Sequence, residues 1–321
     1  MPAAAHRGRG WEPVAGSHFN SDGRQTVRCS RTARAPAHWV GRLGCVAMMV
    51  LLTFGAAPSW AQGKPATAAD AQAPAWHALA AGVEYAAVKV DRPVAIGDGI
   101  LHLLRVDGRK SKLRAYLSSE PGEKARTAAE WCKSKGLLAA INLGMYQADQ
   151  RSNVGYARKG THVNNARFND YRSFVGFGPR RPGLPPVTML DGEDADVRER
   201  LAEYDVAVQN LRLIRGSAHN VWKQQNKRWT EAAIALDSEG RILFLFTRTP
   251  FSMWELNRLL LALPLQIAKA MHVEGGPEAS LSIHAGGVNL DLNGSYETGF
   301  REDDTSRQQW PLPNIIGVAA M

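Results

Sequence analysis

Between Val83 and Ala320 the apolar positions alternate in short runs broken by two helical patterns. Tyr85–Val90, Gly99–Val106 and Lys112–Ser118 read as strands, joined by turns at Arg92-Pro93 and Asp107-Gly108. The period then changes. Thr127 stands three residues before Glu130, a capping box, and Ala128, Trp131 and Cys132 share a helical face that Gly136 ends. Leu137–Asn142 is apolar until its last residue, as in a strand covered on both faces. Strand, helix and covered strand predict a β-α-β crossover with parallel pairing.

Residues 147–170 form a long polar loop, with Val154–Tyr156 as a short strand inside it. Ser173–Phe177 reads as a strand, Asp194 as the cap of a helix with Val197, Leu201 and Tyr204 inward, and Asp205–Ile214 as a further strand. Ala232–Leu236 and Ile242–Thr247 flank the turn from Asp237 to Arg241, and both arms are apolar on both faces. They predict a hairpin inside a sheet, with its second arm ending at Arg248. Ser252 and Glu255 open a second helix with Leu256, Leu259, Leu260 and Leu263 on one side. Pro264 is expected to kink it, with the helix resuming to about Ala270. A strand starting at Val273 makes a second crossover, and Pro313–Ala320 closes the sheet. The predicted fold is α+β: mixed β-sheets with two β-α-β crossovers and helices packed on the sheet, in a single domain over 83–321.

The amino terminus follows another pattern. Residues 43–57 are apolar, Arg28, Arg31, Arg34 and Arg42 precede them, and Ser59-Trp60-Ala61 offers a small-x-small cleavage site. Residues 1–61 therefore read as an upstream extension plus a secretory signal peptide cut after Ala61. Residues 62–82 read as a disordered linker, rich at first in Ala, Pro and Gln. The expected location is periplasmic or secreted, with membrane contact only through the signal segment if it is not cut. Of 321 residues, 39 are basic and 30 acidic, a formal charge of +9. Cleavage removes seven basic and two acidic residues, leaving 32 against 28, a charge that gives no case for nucleic acid. It also removes Cys29 and Cys45. Cys132 is then the lone cysteine and reads as core. No Cys/His zinc spacing and no Gly-rich nucleotide signature occurs, so neither metal nor cofactor is implied.

The candidate chemistry centres on the turn after Val273. Glu274, Gly275, Gly276, Pro277 and Glu278 put two carboxyls around a glycine pair that allows close approach to the backbone. Glu274 with Glu278, Asp237 or Glu231 suits acid/base or glycosyl chemistry. Arg228, Arg248, Arg212 and Lys159 suit an anionic group such as phosphate. Asn142 and Gln209 are placed to orient sugar hydroxyls, with Gly144 beside them, and Tyr146 and Trp229 offer aromatic surfaces. Arg248 and Glu274 are expected at one sheet edge. Other readings stand beside these. Asp237 suits the turn it occupies, Arg248 suits a structural ion pair, and Tyr146 and Trp229 suit the core. Glu274, Glu278 and Asp237 would also suit a hard metal ion.

These segments resemble the phosphodiester glycosidase family, of the type that removes N-acetylglucosamine from a phosphodiester on mannose. Ile141–Tyr146 resembles the family's Asn-Gly/Ala-x-Phe strand end, and Val154-Gly155-Tyr156 the Gly-containing segment after it. Arg228–Asp237 with Gly240 looks like its Arg-centred strand pair, and Val273–Ser280 stands where its Asp-Gly-Gly-Gly-Ser turn belongs. Glu274 replaces the aspartate, Pro277 the third glycine and Glu278 the serine, so the chain reads as a divergent branch. The resemblance implies a hydrolase that cleaves a sugar-1-phosphodiester in an envelope or extracellular glycan. It implies Glu274 and Glu278 as catalytic carboxyls, Arg228 and Arg248 on the phosphate, and Asn142 and Gln209 on the sugar. The alternative is a non-catalytic glycan-binding or envelope-assembly protein on the same fold.

Overall fold

The computed structural model describes residues 73–91 and 94–321. The chain runs through β1 (His77–Ala80), β2 (Val83–Lys89), β3 (Ile100–Val106) and β4 (Lys112–Leu117) into α1 (Ala128–Lys135). Next come β5 (Ala139–Asn142), β6 (Ala157–Lys159), β7 (His162–Asn165), β8 (Ser173–Pro179), β9 (Val187–Asp191) and α2 (Val197–Ala202). β10 (Tyr204–Asn210), β11 (Arg212–Arg215), β12 (His219–Asn220), β13 (Trp229–Asp237), β14 (Ile242–Phe251) and α3 (Met253–Ala262) follow. The chain closes with β15 (Ile267–Gly275), a single 3-10 turn (Gly276–Glu278), β16 (Ser280–Ala285), β17 (Val288–Asn293) and β18 (Asn314–Ala319).

Three sheets result: an eight-stranded one, β1-β2-β3-β14-β13-β15-β11-β12, and two five-stranded ones, β7-β6-β10-β8-β9 and β17-β16-β5-β18-β4. The expected mixed sheets with parallel neighbours are not what forms. Every strand pairing in the three sheets is antiparallel. β4 and β5, joined through α1, do run the same way, but β18 lies between them, antiparallel to both. β13 likewise separates β14 from β15, which α3 joins. The reason is local. β13 and β14 meet through a tight turn, and an antiparallel partner bonds slightly better per residue than a parallel one. A helical connection has the reach to step over one such strand.

Both capping boxes form, at Thr127/Glu130 and Ser252/Glu255, and Gly136 takes the left-handed conformation that ends α1. α3 does not resume after Pro264. Leu263 before the proline is extended, as the ring requires of its predecessor, and the chain enters β15 at Ile267. The second hairpin arm passes Arg248 to end at Phe251. Asp196 rather than Asp194 precedes α2, without a side-chain cap. The expected strand at Val154–Tyr156 is displaced to β6, which pairs with β7 inside the polar loop. β1 pairs with β2 inside the 62–82 stretch expected to be linker, because Ala78 and Ala80 continue the sheet edge. The expectations for residues 1–72 and the turn at Arg92-Pro93 lie outside the described residues. No helix among the described residues is long and apolar enough to cross a membrane.

Alternation in the eight-stranded sheet divides two cores. Ala232, Ile234, Phe244, Phe246, Met271 and Val273 face the other two sheets, meeting Ile141, Val175, Phe177 and Ile316. Ala233, Ala235, Leu243, Leu245 and Ala270 face α3 through Met253, Leu256 and Leu260. Cys132 is buried in a smaller cluster with Trp131 and Ile315, where burial pushes its thiol up to about 12. It is a packing residue.

Candidate active site

The site lies where the α3-covered face of the large sheet ends. β13 and β15 are neighbours there, with Glu231 opposite Gly275. The register slips between Ala232 and Ala233, so that Glu274 pairs with Ala232 while His272 pairs with Ala233. Such a bulge bends a strand end and re-aims its side chains. The chain then turns through Gly276, whose φ of +63° is one that glycine adopts freely. Pro277 is the second residue of the 3-10 turn, where its fixed φ suits the tight winding.

The distant segment around Asn142 meets this turn. The Asn142 amide donates to the Glu278 carbonyl at 3.1 Å and accepts from the Ser280 N–H at 2.8 Å. Tyr146 lies within electrostatic reach of Glu274 and Glu278, and Tyr171 within reach of Glu274. Gly144 lets the strand end pass close to Asn153, since a Cβ there would stand 2.6 Å from the Asn153 Oδ1. A Cβ on Gly275 would stand 2.8 Å from the Trp229 ring. The pocket is lined by Met145, Tyr171, Leu211, Trp222, Trp229 and Met253 on its apolar side, and by Gln225, His272, Glu274 and Glu297 on its polar side.

Its carboxyls share one electrostatic character. Glu274 is 8% exposed. Burial first, then the Glu278, Glu297 and Glu231 charges, hold its carboxyl well above the usual range, against one N–H from Gly275 at 3.1 Å. Burial and the Glu297 charge push Glu278 up to about 7, opposed by its own backbone N–H and by Arg301. Burial raises Glu297, with His272 and Lys227 opposing. Burial and like charge favour the protonated form of Glu274, and near neutrality Glu278 divides between its two forms. Burial and the neighbouring carboxylates also keep the Tyr146 phenol neutral.

Four expected site residues are employed elsewhere. Asp237 is held in its own turn, accepting from the Glu239 and Arg241 N–H groups and from the Arg241 guanidinium. It stands six residues along β13 from Glu231, about 20 Å at strand rise. It joins neither the glutamate pair nor a metal set with it. Arg248 does not meet Glu274. Its guanidinium donates to the Asn293 and Ser306 carbonyls, both at 2.7 Å, and pairs with Asp304 at 2.7 Å. Gln209 is buried and spent on backbone, accepting from the Tyr156 and Asn169 N–H groups and donating to the Asn169 and Tyr171 carbonyls. It shapes the wall that carries Tyr171. Arg228 is half exposed in an ion pair with Glu255 at 2.7 Å. Of the other cations considered, Arg212 is held by Asp191 and Lys159 by Glu120.

Sequence reasoning missed Glu297, Tyr171, Trp222, Met253 and Arg301. It offered Glu231 only as one possible partner, and gave His272 no role. Alternation along β13 and β15 would have put Trp229 with Glu231, and His272 with Glu274, on one face each, had the register been known. Glu297 comes from an irregular segment and has no such signal.

A sequence model of the phosphodiester glycosidases matches residues 135–319, from the end of α1 through β18. The chain belongs to the phosphodiester glycosidase family. The match spans every residue of the pocket and its turn. Among solved structures, the zebrafish N-acetylglucosamine-1-phosphodiester alpha-N-acetylglucosaminidase catalytic domain, auto-inhibited by its pro-peptide, superimposes with a TM-score of 0.55 at 13% identity. The alignment covers 78% of this chain and 88% of that one. A hypothetical protein from Synechocystis gives a TM-score of 0.50 at 14% identity, over 75% of this chain and 62% of that one. At such identities the likeness is one of fold. No curated protein matches the sequence. In this phosphodiester glycosidase, Glu278 and Glu297 crowd the turn at Gly276, with side-chain oxygens 3.4 and 2.6 Å from where its Cβ would stand.

Proposed function

We propose that this phosphodiester glycosidase is a hydrolase that cleaves the bond between a sugar's anomeric carbon and a phosphodiester. The single observation that carries the reading is the pair Glu274 and Glu278, set on one glycine turn beside an aromatic-lined pocket that Glu274 lines, with both carboxyls raised and one near neutrality. Protonated Glu274 supplies a general acid for the departing phosphate oxygen. Ionised Glu278 supplies the base or nucleophile at the anomeric carbon. Two carboxyls held in different protonation states are the equipment of glycoside cleavage. Trp222, Trp229 and Tyr171 offer faces for a sugar ring. Lys227 and Arg301, whose charges act on Glu297 and Glu278, are the cations in reach of the phosphate. The apolar run 43–57 and the Ala61 cleavage site support export, and with it an envelope or extracellular glycan as substrate.

The test is turnover. Purified protein is offered an activated sugar-1-phosphodiester, and sugar release is followed with wild type and Glu274→Gln. Release that the variant loses supports the hydrolase. Glycan binding without release by the wild type would instead make this a binding protein on the same fold.

A further inference from the structure

Glu231 and His272 form a buried pair that the glutamate mechanism leaves unused. Glu231 is 2% exposed and His272 3%. The His272 Nδ1 lies 2.5 Å from one Glu231 carboxylate oxygen, and the Trp229 indole N–H donates to the other at 2.5 Å. The Trp229 and His272 rings meet edge to face at 6.3 Å between centroids. Two residues of β13 thus fix one imidazole, which β15 supplies. A carboxylate offers only acceptors, so the proton between the pair sits on Nδ1. Nε2 is then left with its lone pair, on a ring that lines the same pocket as Glu274 and Glu297. The Glu231 carboxyl buried behind the ring, held in turn by an indole, fixes the orientation of the imidazole. A carboxylate that fixes a tautomer and steadies the imidazolium is a recurrent way to make a histidine carry protons.

We propose that His272 is a further catalytic residue of this site and that Glu231 is its positioning residue. The role rests on the hydrolase reading above. With Glu278 as the nucleophile, His272 Nε2 accepts a proton from the water that then releases the sugar. The water oxygen bonds to the anomeric carbon, and that carbon's bond to the Glu278 oxygen breaks with its electron pair returning to the carboxylate. The imidazolium formed faces the Glu231 carboxylate, which offsets its charge, and returns the proton to solvent after product leaves.

The experiment combines kinetics with 15N NMR of the ring, using the full chain and a sugar-1-phosphodiester. Wild type should show the Nδ1-protonated tautomer of His272, with its signals assigned by their loss in His272→Asn. Glu231→Gln offers an amide that can donate or accept, so the tautomer should become mixed. Its kcat should fall roughly 10²- to 10⁴-fold with KM within about threefold, since a wrong tautomer removes the base and not the binding. An Nε2-protonated ring in wild type would overturn the proposal even if Glu231→Gln failed to fold. So would an active wild type whose Glu231→Gln variant keeps kcat within about twofold. A wild type without turnover would instead overturn the hydrolase reading, a result that the tautomer readout keeps separate.

Discussion

The side chain of Asn142 spans the turn that carries Glu278, bonded to the Glu278 carbonyl on one side and to the Ser280 N–H on the other. It thereby ties the end of β5 to a segment 136 residues away. An asparagine expected to orient sugar instead orients the backbone of a candidate catalytic residue. Asn142→Ala leaves the buried Ser280 N–H unpaired, so it should destabilise by about 1–3 kcal/mol in denaturant unfolding. It should also lower kcat more than it raises KM, because Glu278 is no longer held in place.

Glu274→Gln and Glu278→Gln should each reduce turnover by roughly 10²-fold or more. Neither should lower the melting temperature at pH 8, because each replaces a carboxyl whose charged form is disfavoured by burial. Parallel kinetics and thermal melts check this. Equal loss of activity and stability would make the residue structural.

The raised carboxyls set the sign of the pH dependence. Glu278 ordinarily titrates at 4.5 and here at about 7, so the folded state binds the proton more tightly than the unfolded chain. Its stabilising contribution is complete below about pH 4.5 and is lost as pH rises through about 7. The melting temperature should therefore fall between pH 5 and pH 8, and Glu278→Gln should flatten that slope. The rate should rise as Glu278 ionises near pH 7, and fall with loss of the Glu274 proton.

Arg248 braces the segment from Asn293 to Ser306. Arg248→Ala should cost about 2–4 kcal/mol, since it strips a partly buried carboxylate and two carbonyls of their donor. KM should change by less than about threefold if the residue is a brace. A rise of an order of magnitude in KM without loss of stability would return Arg248 to the phosphate. The double cycle with Asp304→Ala should show a coupling of about 0.5–3 kcal/mol.

Gly276 has φ +63°, and a Cβ on it would stand 2.6 Å from the Glu297 Oε2. Gly276→Ala should therefore destabilise by about 1–3 kcal/mol and displace Glu297. Thermal melts and kcat read the two effects, and a neutral substitution would show that the turn has room to adapt.

Local chemistry made much of this fold legible. The capping boxes at Thr127 and Ser252, the Gly136 stop and the 232–247 hairpin each depend on residues a few positions apart, and each forms. The strand at β15 was half concealed because Leu265 to Ala270 is apolar enough for a helix, and Pro264 does not say which way the chain continues. β17 and the β6–β7 pair were passed over because a polar strand on a sheet edge resembles a loop.

By itself the sequence determined the class of fold, the glycine turn with its two glutamates, and the family to which the chain belongs. Those rest on neighbours along the chain, where propensity, capping and turn chemistry act. Only the tertiary structure decided that β13 and β18 step between the strands joined by helices, and that Asn142 clasps the Glu278 turn. It alone spent Arg248, Gln209 and Asp237 on holding backbone and carboxylate partners, and brought Glu231, His272 and Glu297 to the pocket. Strand register and burial choose among polar side chains that look alike in sequence. A buried amide or guanidinium must satisfy its hydrogen bonds wherever the fold places it, whether or not a substrate ever arrives.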